Sequence, residues 1–535
     1  MRVRAALTAA LVVTTVAGVV GIANRQRQAS FPVPQAAPPG MSLEPCTHTI
    51  EGVRYRADCG SLVVPEHRDG PARRTVVLPV RRIRAASPRP REPVFFLAGG
   101  PGISNMGFEP PAWLLADHDV VLVGYRGVDG IPKLDCPEVE RAITGTGGDL
   151  LSPESLDRMG AAVQACAQRL QAVGIDLAGY TIPAVVEDIE AARVELGYAR
   201  VNLLSESYGT RVAQIYGLMH PGSVLRSAMI GVNPPGRFVW LPEKVDTQLE
   251  YYAELCRRDV QCRGRMPDLT ATIRAVNRDM PRRWLMFDID PGKVKVIAFV
   301  LLYHRSTAPI VFDAYLAAAG GDPSGLALMS LAYDVLVPGA MTWGEFFALG
   351  ASADYEPGRD YRADLARPDA TLGAPMSLLI WGSASGRWPP VLMAEEYRRV
   401  KASAVETLLV SGSVDFATPA EYAAEELLPF LPRGRHLVIA EQGHSDDFWS
   451  FQRAAAERLL TSFYASGVAD DSLYTNLPMD FEPPLRLPLL AKLTLALAAL
   501  LTALLGTAVW LIARRIRRRR AANGTDRRTS STRAA

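Results

Sequence analysis

The chain has 535 residues, nearly half of them apolar, with 58 Lys and Arg against 56 Asp and Glu for a formal charge of +2. That composition suits a globular enzyme and excludes a disordered or collagen-like chain. The small basic excess collects in Arg514, Arg515 and Arg517 to Arg520, so the folded part has no polyanion-seeking surface and no nucleic-acid partner is expected.

Both ends carry membrane signals. Arg2 and Arg4 precede an uncharged run over 5–23 that closes on small residues, so 1–24 reads as a signal peptide or, uncleaved, an N-terminal anchor. Residues 25–45, rich in Pro and small side chains without periodicity, read as a linker, and the fold is expected to begin at 46. Short apolar, β-branched runs follow at 61–65, 75–80, 93–97, 120–123, 201–204 and 225–230. Several are continuously apolar, which implies burial on both faces, as in a parallel sheet covered by helices. Helical spacing over 183–196 and 208–219 supplies the alternation of a doubly wound sheet. From 239 to 372 helix-like stretches replace strands, and strand signals return at 407–410 and 436–440, so 239–372 reads as a helical cap inserted between core parts 46–238 and 373–470. Residues 471–492 read as a stalk, 493–513 as a transmembrane helix with Trp510 near an interface, and 514–535 as a basic tail. The arginines on that tail keep it cytoplasmic, which puts the catalytic part on the outer side of the cell membrane.

Six cysteines agree with an oxidising compartment. Sequence neighbours are expected to pair, Cys46 with Cys59, Cys136 with Cys166 and Cys256 with Cys262, because each pair closes a loop within one group of elements. No histidine or cysteine stands at zinc-ligand spacing from another, and no metal or cofactor is expected.

The chemistry begins at 201–210, VNLLSESYGT, where a buried strand runs through a tight turn into a helix. In a nucleophile elbow the serine sits in a sharp turn, and the residues two before and two after it must be small; here they are Ser205 and Gly209, with Ser207 as nucleophile. The glycine-rich loop LAGGPG at 97–102 follows a strand, so Gly99 and Gly100, with the Tyr208 N–H, are candidates for an oxyanion hole. Chain order then asks for an acid and a histidine. Asp415 is the one acid in the loop after the strand at 407–410; of the two later histidines, His436 starts a strand and His444 follows it, so His444 is the base. Glu206, beside the nucleophile, is a candidate for binding a substrate amine or a solvated structural residue.

These motifs resemble the proline iminopeptidase and tripeptidyl aminopeptidase group of exported α/β-hydrolase serine peptidases. The resemblance covers about 46–463 and is carried by AGGPG at 98–102, DVVLVGYRG at 119–127, the segment 186–213 around SESYGT, GSVDFATP at 412–419 and QGH at 442–444. It implies the α/β-hydrolase fold with a cap, a triad of Ser207, Asp415 and His444, and release of N-terminal residues or short peptides from a peptide substrate. Gly124 departs from the acid usual in that group, and the cap matches poorly. A carboxylesterase or lipase taking a small acyl substrate on the same triad is the alternative, and an inactive membrane-held scaffold a more distant one.

Overall fold

The structure, a computed structural model, describes residues 40–529 apart from 51, 69–73, 146 and 390, with the backbone alone beyond 517. The N-terminal hydrophobic segment and the linker up to residue 39 lie outside the described residues, as do 530–535.

Among the described residues nine strands form one sheet: β1 Gly40–Ile50, β2 Val53–Pro65, β3 Thr75–Ile83, β4 Arg91–Leu97, β5 His118–Val123, β6 Val201–Glu206, β7 Val224–Ile230, β8 Glu406–Gly412 and β9 Gly434–Ile439. Their order is β1-β2-β3-β5-β4-β6-β7-β8-β9. The first three pair antiparallel, β3 pairs antiparallel with β5, and every pairing from β5 to β9 is parallel. The apolar runs lie in the buried central strands: all six residues of β5 are buried, and so are the first five of β6, with Asn202 and Ser205 among them. Each parallel step crosses over through a helix, as α1 Pro153–Ala172 and α2 Ile182–Glu195 do before β6 and α3 Tyr208–Met219 does before β7. This strand order with one antiparallel half is the α/β-hydrolase fold.

Three boundaries differ from the sequence reading. Strand β1 claims residues 40–45, the end of the expected linker. Pro45 was misleading there because β1 is an edge strand, where a missing N–H costs no ladder bond. The insertion between β7 and β8 runs on past 372 to the start of β8 at Glu406. It contains α4 Pro242–Arg258, α5 Pro291–Leu301, α6 Ala308–Ala319, α7 Ser324–Leu336, α8 Trp343–Asp354 and α9 Pro375–Ala384. Helix α9 is packed so closely on α1 that a side chain at Gly160 would reach within 2.7 Å of the Ser383 carbonyl. The expected stalk is a strap laid on the domain. Met479 and Phe481 are buried, Arg305 donates to the carbonyls of Leu477 and Pro478 at 3.0 and 2.6 Å, and the Phe481 ring stacks with Phe312.

After α10 Ser445–Ser450 and α11 Arg453–Ser466, the last helix, α12, runs Leu487–Thr529. Its apolar part, Leu487–Arg517, is long enough at 31 residues to cross a membrane; its most apolar window has a mean hydropathy of 2.3 and is only 6% buried, so it is no core helix. All three expected disulfides form: Cys46–Cys59, Cys136–Cys166 and Cys256–Cys262.

Candidate active site

Ser207, between β6 and α3, has φ 50° and ψ −120°, a backbone region that costs a non-glycine residue about 1–3 kcal/mol and survives where the surroundings over-determine it. Those surroundings are visible: the Ser207 N–H donates to the Ile230 carbonyl at 2.9 Å, and the Thr210 N–H and hydroxyl both donate to the Ser207 carbonyl at 3.0 and 2.6 Å. Gly209 has to be glycine, because a Cβ there would come within 2.1 Å of the Leu97 carbonyl oxygen. Ser205 does not need to be one. Its side chain points across the sheet and donates to the Ala228 carbonyl at 3.1 Å, so a hydroxyl fits where the usual motif has hydrogen.

The loop after β4 lies against this turn. A Cβ at Gly99 would stand 3.1 Å from the Ser207 Cβ, which keeps the backbone of 99–100 bare beside the serine. Asn105 staples the loop down, accepting from the Ala98 N–H and donating to the carbonyls of Phe96 and Val123 at 3.0 Å or less. From the insertion, Glu345 on α8 accepts the Gly102 N–H at 2.5 Å. Glu345 is wholly buried, and burial pushes its carboxyl well above the ordinary range against the opposing Gly102 hydrogen bond.

Asp415 and His444 follow β8 and β9, on the same carboxyl edge of the sheet as Ser207. His444 Nδ1 lies 2.9 Å from Asp415 Oδ2 and 3.0 Å from Oδ1. Asp415 is wholly buried and also accepts from the N–H groups of Ala417 and Thr418 and from the Thr418 hydroxyl, all within 2.9 Å. Burial alone would depress the imidazole, but the charge and hydrogen bond of Asp415 outweigh it, and His444 is raised above its ordinary value. Gly231 makes room behind the ring, where a Cβ would touch Cε1 at 3.0 Å, and the His444 N–H donates to the Tyr303 carbonyl at 2.6 Å. His436 sits within β9 opposite Leu409, its ring against the Ser411 hydroxyl at 3.0 Å.

Ser207, Tyr208, Gly99, Gly100, Glu206 and His444 all line one cavity of about 2380 Å³ between sheet edge and insertion. Among the described residues no hydrogen bond joins the Ser207 hydroxyl to His444, a contact that often tightens only when substrate is bound. Glu206 is half-buried and accepts from the Trp449 indole N–H; desolvation pushes its carboxyl up to about 7 against the opposing effects of that bond and of His444. Trp449, Thr418, Asn105 and Glu345 escaped the sequence reading. Only Thr418, three residues after Asp415 in the same loop, carried a local signal.

No protein-family model matches the chain. It is 24% identical over 242 residues to tripeptidyl aminopeptidases of Streptomyces lividans and Streptomyces coelicolor, a match spanning 42% of this chain and 44% of each relative. The chain thus spans less than half the length of the curated relatives it matches. Among solved structures it resembles a serine hydrolase from Cycloclasticus zankles (11% identity, 77% of this chain and 100% of that one, TM-score 0.34). A meta-cleavage product hydrolase from Pseudomonas fluorescens IP01 is similarly distant (13%, 74% and 96%, TM-score 0.36). The fold assignment rests on the strand order described above.

Proposed function

We propose that this chain is a membrane-tethered serine hydrolase, with Ser207 as nucleophile, His444 as base and Asp415 as acid. One observation carries the reading: an imidazole clamped at 2.9 Å by a wholly buried carboxylate shares a cavity with a serine held at positive φ. His444 Nε2 takes the Ser207 proton as Oγ bonds to the substrate carbonyl carbon. The proton passes to the departing amine or alkoxide as its bond to that carbon breaks, and water releases the acyl group by the reverse path. Asp415 fixes the tautomer with Nδ1 as donor and stabilises the imidazolium. The N–H groups of Gly99, Gly100 and Tyr208 receive the developing oxyanion, and each such donor is worth about 3 kcal/mol in the transition state.

Within that class the reading is an aminopeptidase of prolyl or tripeptidyl type, supported by the Streptomyces relatives and by Glu206, a carboxyl beside the nucleophile whose ionised form the positive charge of an incoming ammonium would favour and pair with. The apolar lining of the insertion favours a second reading, a carboxylesterase or lipase on the same residues. The domain lies outside the cytoplasmic membrane, with the arginines at 514–520 of α12 inside; three disulfides support that side.

Fluorophosphonate labelling tests the class. Ser207→Ala abolishes labelling and lowers kcat about a millionfold, while circular dichroism stays that of the parent. Free-amine tripeptidyl anilides beside p-nitrophenyl esters test the subclass, and turnover of the esters alone ends the peptidase reading.

A further inference from the structure

The cavity that contains Ser207 does not stop at the insertion. Its walls pass from Leu301 on α5 to Met329 and Leu336 on α7, and from there to Leu487, Leu490 and Thr494 on the first turns of α12. Those turns are fixed against α7. The Ser324 hydroxyl donates to the Pro488 carbonyl at 3.4 Å, Lys492 pairs with Asp322 at 2.5 Å, and a side chain at Gly325 would meet the Pro488 ring at 3.1 Å.

Position along α12 gives these contacts their meaning. The uncharged run begins at residue 493, immediately after Lys492, and its 21 residues to 513 rise about 31 Å, the depth of a bilayer's hydrocarbon. Lys492, paired and half out in solvent, therefore sits at headgroup level. Leu490 and Thr494, one turn apart on α12, line the same chamber as the candidate nucleophile. The cavity thus extends its apolar wall to the point on α12 where the uncharged run begins. It is also far larger than the roughly 300–1,000 Å³ that a small soluble ligand fills.

We propose that the substrate is a membrane-resident amphiphile: the group to be cleaved reaches Ser207 while an alkyl chain lies along α7 and the first turns of α12, its end still in or near the outer leaflet. This rests on the hydrolase reading and adds the substrate class. Polar neighbours at the reacting end, Glu206 and His444, and apolar ones at the far end match the two halves of such a molecule.

The experiment uses the full-length protein in phosphatidylcholine nanodiscs and reads the labelling rate of Ser207 by fluorophosphonates whose alkyl chain grows from butyl to dodecyl. The rate rises about tenfold along the series, and Leu490→Glu and Leu336→Glu each lower the dodecyl-to-butyl ratio about fivefold. Two positions on different helices guard against one misfolded variant, and labelling by the butyl probe reports that each is folded. A flat series on a protein that labels overturns this inference and leaves the hydrolase reading standing. A rise that both substitutions leave intact reflects partition into lipid alone and also overturns it. If Ser207 takes no probe, the hydrolase reading fails, and this inference with it. Turnover of p-nitrophenyl dodecanoate or of a free-amine tripeptide dodecylamide then tells whether the chain sits on the acyl or the leaving side.

Discussion

At the carboxyl edge of the sheet, Asp415 is held by two backbone N–H groups, a hydroxyl and an imidazole. Across the same cavity, α5 and α7 present Leu301, Met329 and Leu336, which can touch a ligand only through dispersion and the exclusion of water. The insertion spends its polar groups on its own architecture: Asp246 on α4 accepts from the N–H groups of Thr371, Leu372 and Gly373, and Glu345 grips the loop at Gly102. One wall is therefore rigid in angle and distance, as proton transfer requires, and the other is defined by volume alone. Reaction type belongs to the first and substrate choice to the second.

Substitutions on the two walls should separate those properties. Asp415→Asn strikes hardest after loss of the nucleophile. It leaves the shape but favours the wrong imidazole tautomer, and kcat for any substrate falls about ten-thousandfold; a loss under about tenfold in steady-state kinetics would remove Asp415 from the relay. Glu206→Gln stands between the walls. KM for free-amine peptides rises about thirtyfold while ester turnover changes little, and N-acetylated peptides lose their disadvantage.

The same variant carries a pH signature. The base must be unprotonated, so kcat/KM falls as pH drops through the His444 pKa, which lies above 6.5. The Glu206 charge is one of the influences holding that pKa up, so its removal shifts the acid limb for ester substrates to lower pH. Leu301→Ala, on the dispersive wall, has the smallest effect: KM rises about fivefold and kcat holds, the mark of binding energy shared equally by ground and transition states.

The contrast also explains what could be read from the sequence. Strand β5 and the elbow announced themselves because burial on both faces favours an unbroken apolar run, seen at 120–123, and because a turn as tight as Ser207 limits its neighbours to small residues. Asp415 and His444 followed from strand edges. The Trp449 contact to Glu206 spans 243 residues and left no local trace. Glu345 carried no signal of its role, since nothing nearby in the chain tells that α8 is buried along its whole length. The strap at 477–481 was read as a spacer because Pro478 and the prolines after it at 483, 484 and 488 outweighed the alternation of Leu477, Met479 and Phe481. Long-range packing, which fixes the insertion, writes little into local periodicity.

The bare Cα of Gly325 lets the Pro488 ring settle directly on α7, and the Lys492–Asp322 pair locks that seat from the side. An insertion seated in this way is joined directly to the first turns of α12. On the proposed topology the chamber stands just outside the lipid, and the thickness and tilt preferences of the membrane would then set how far Ser207 stands from the headgroups.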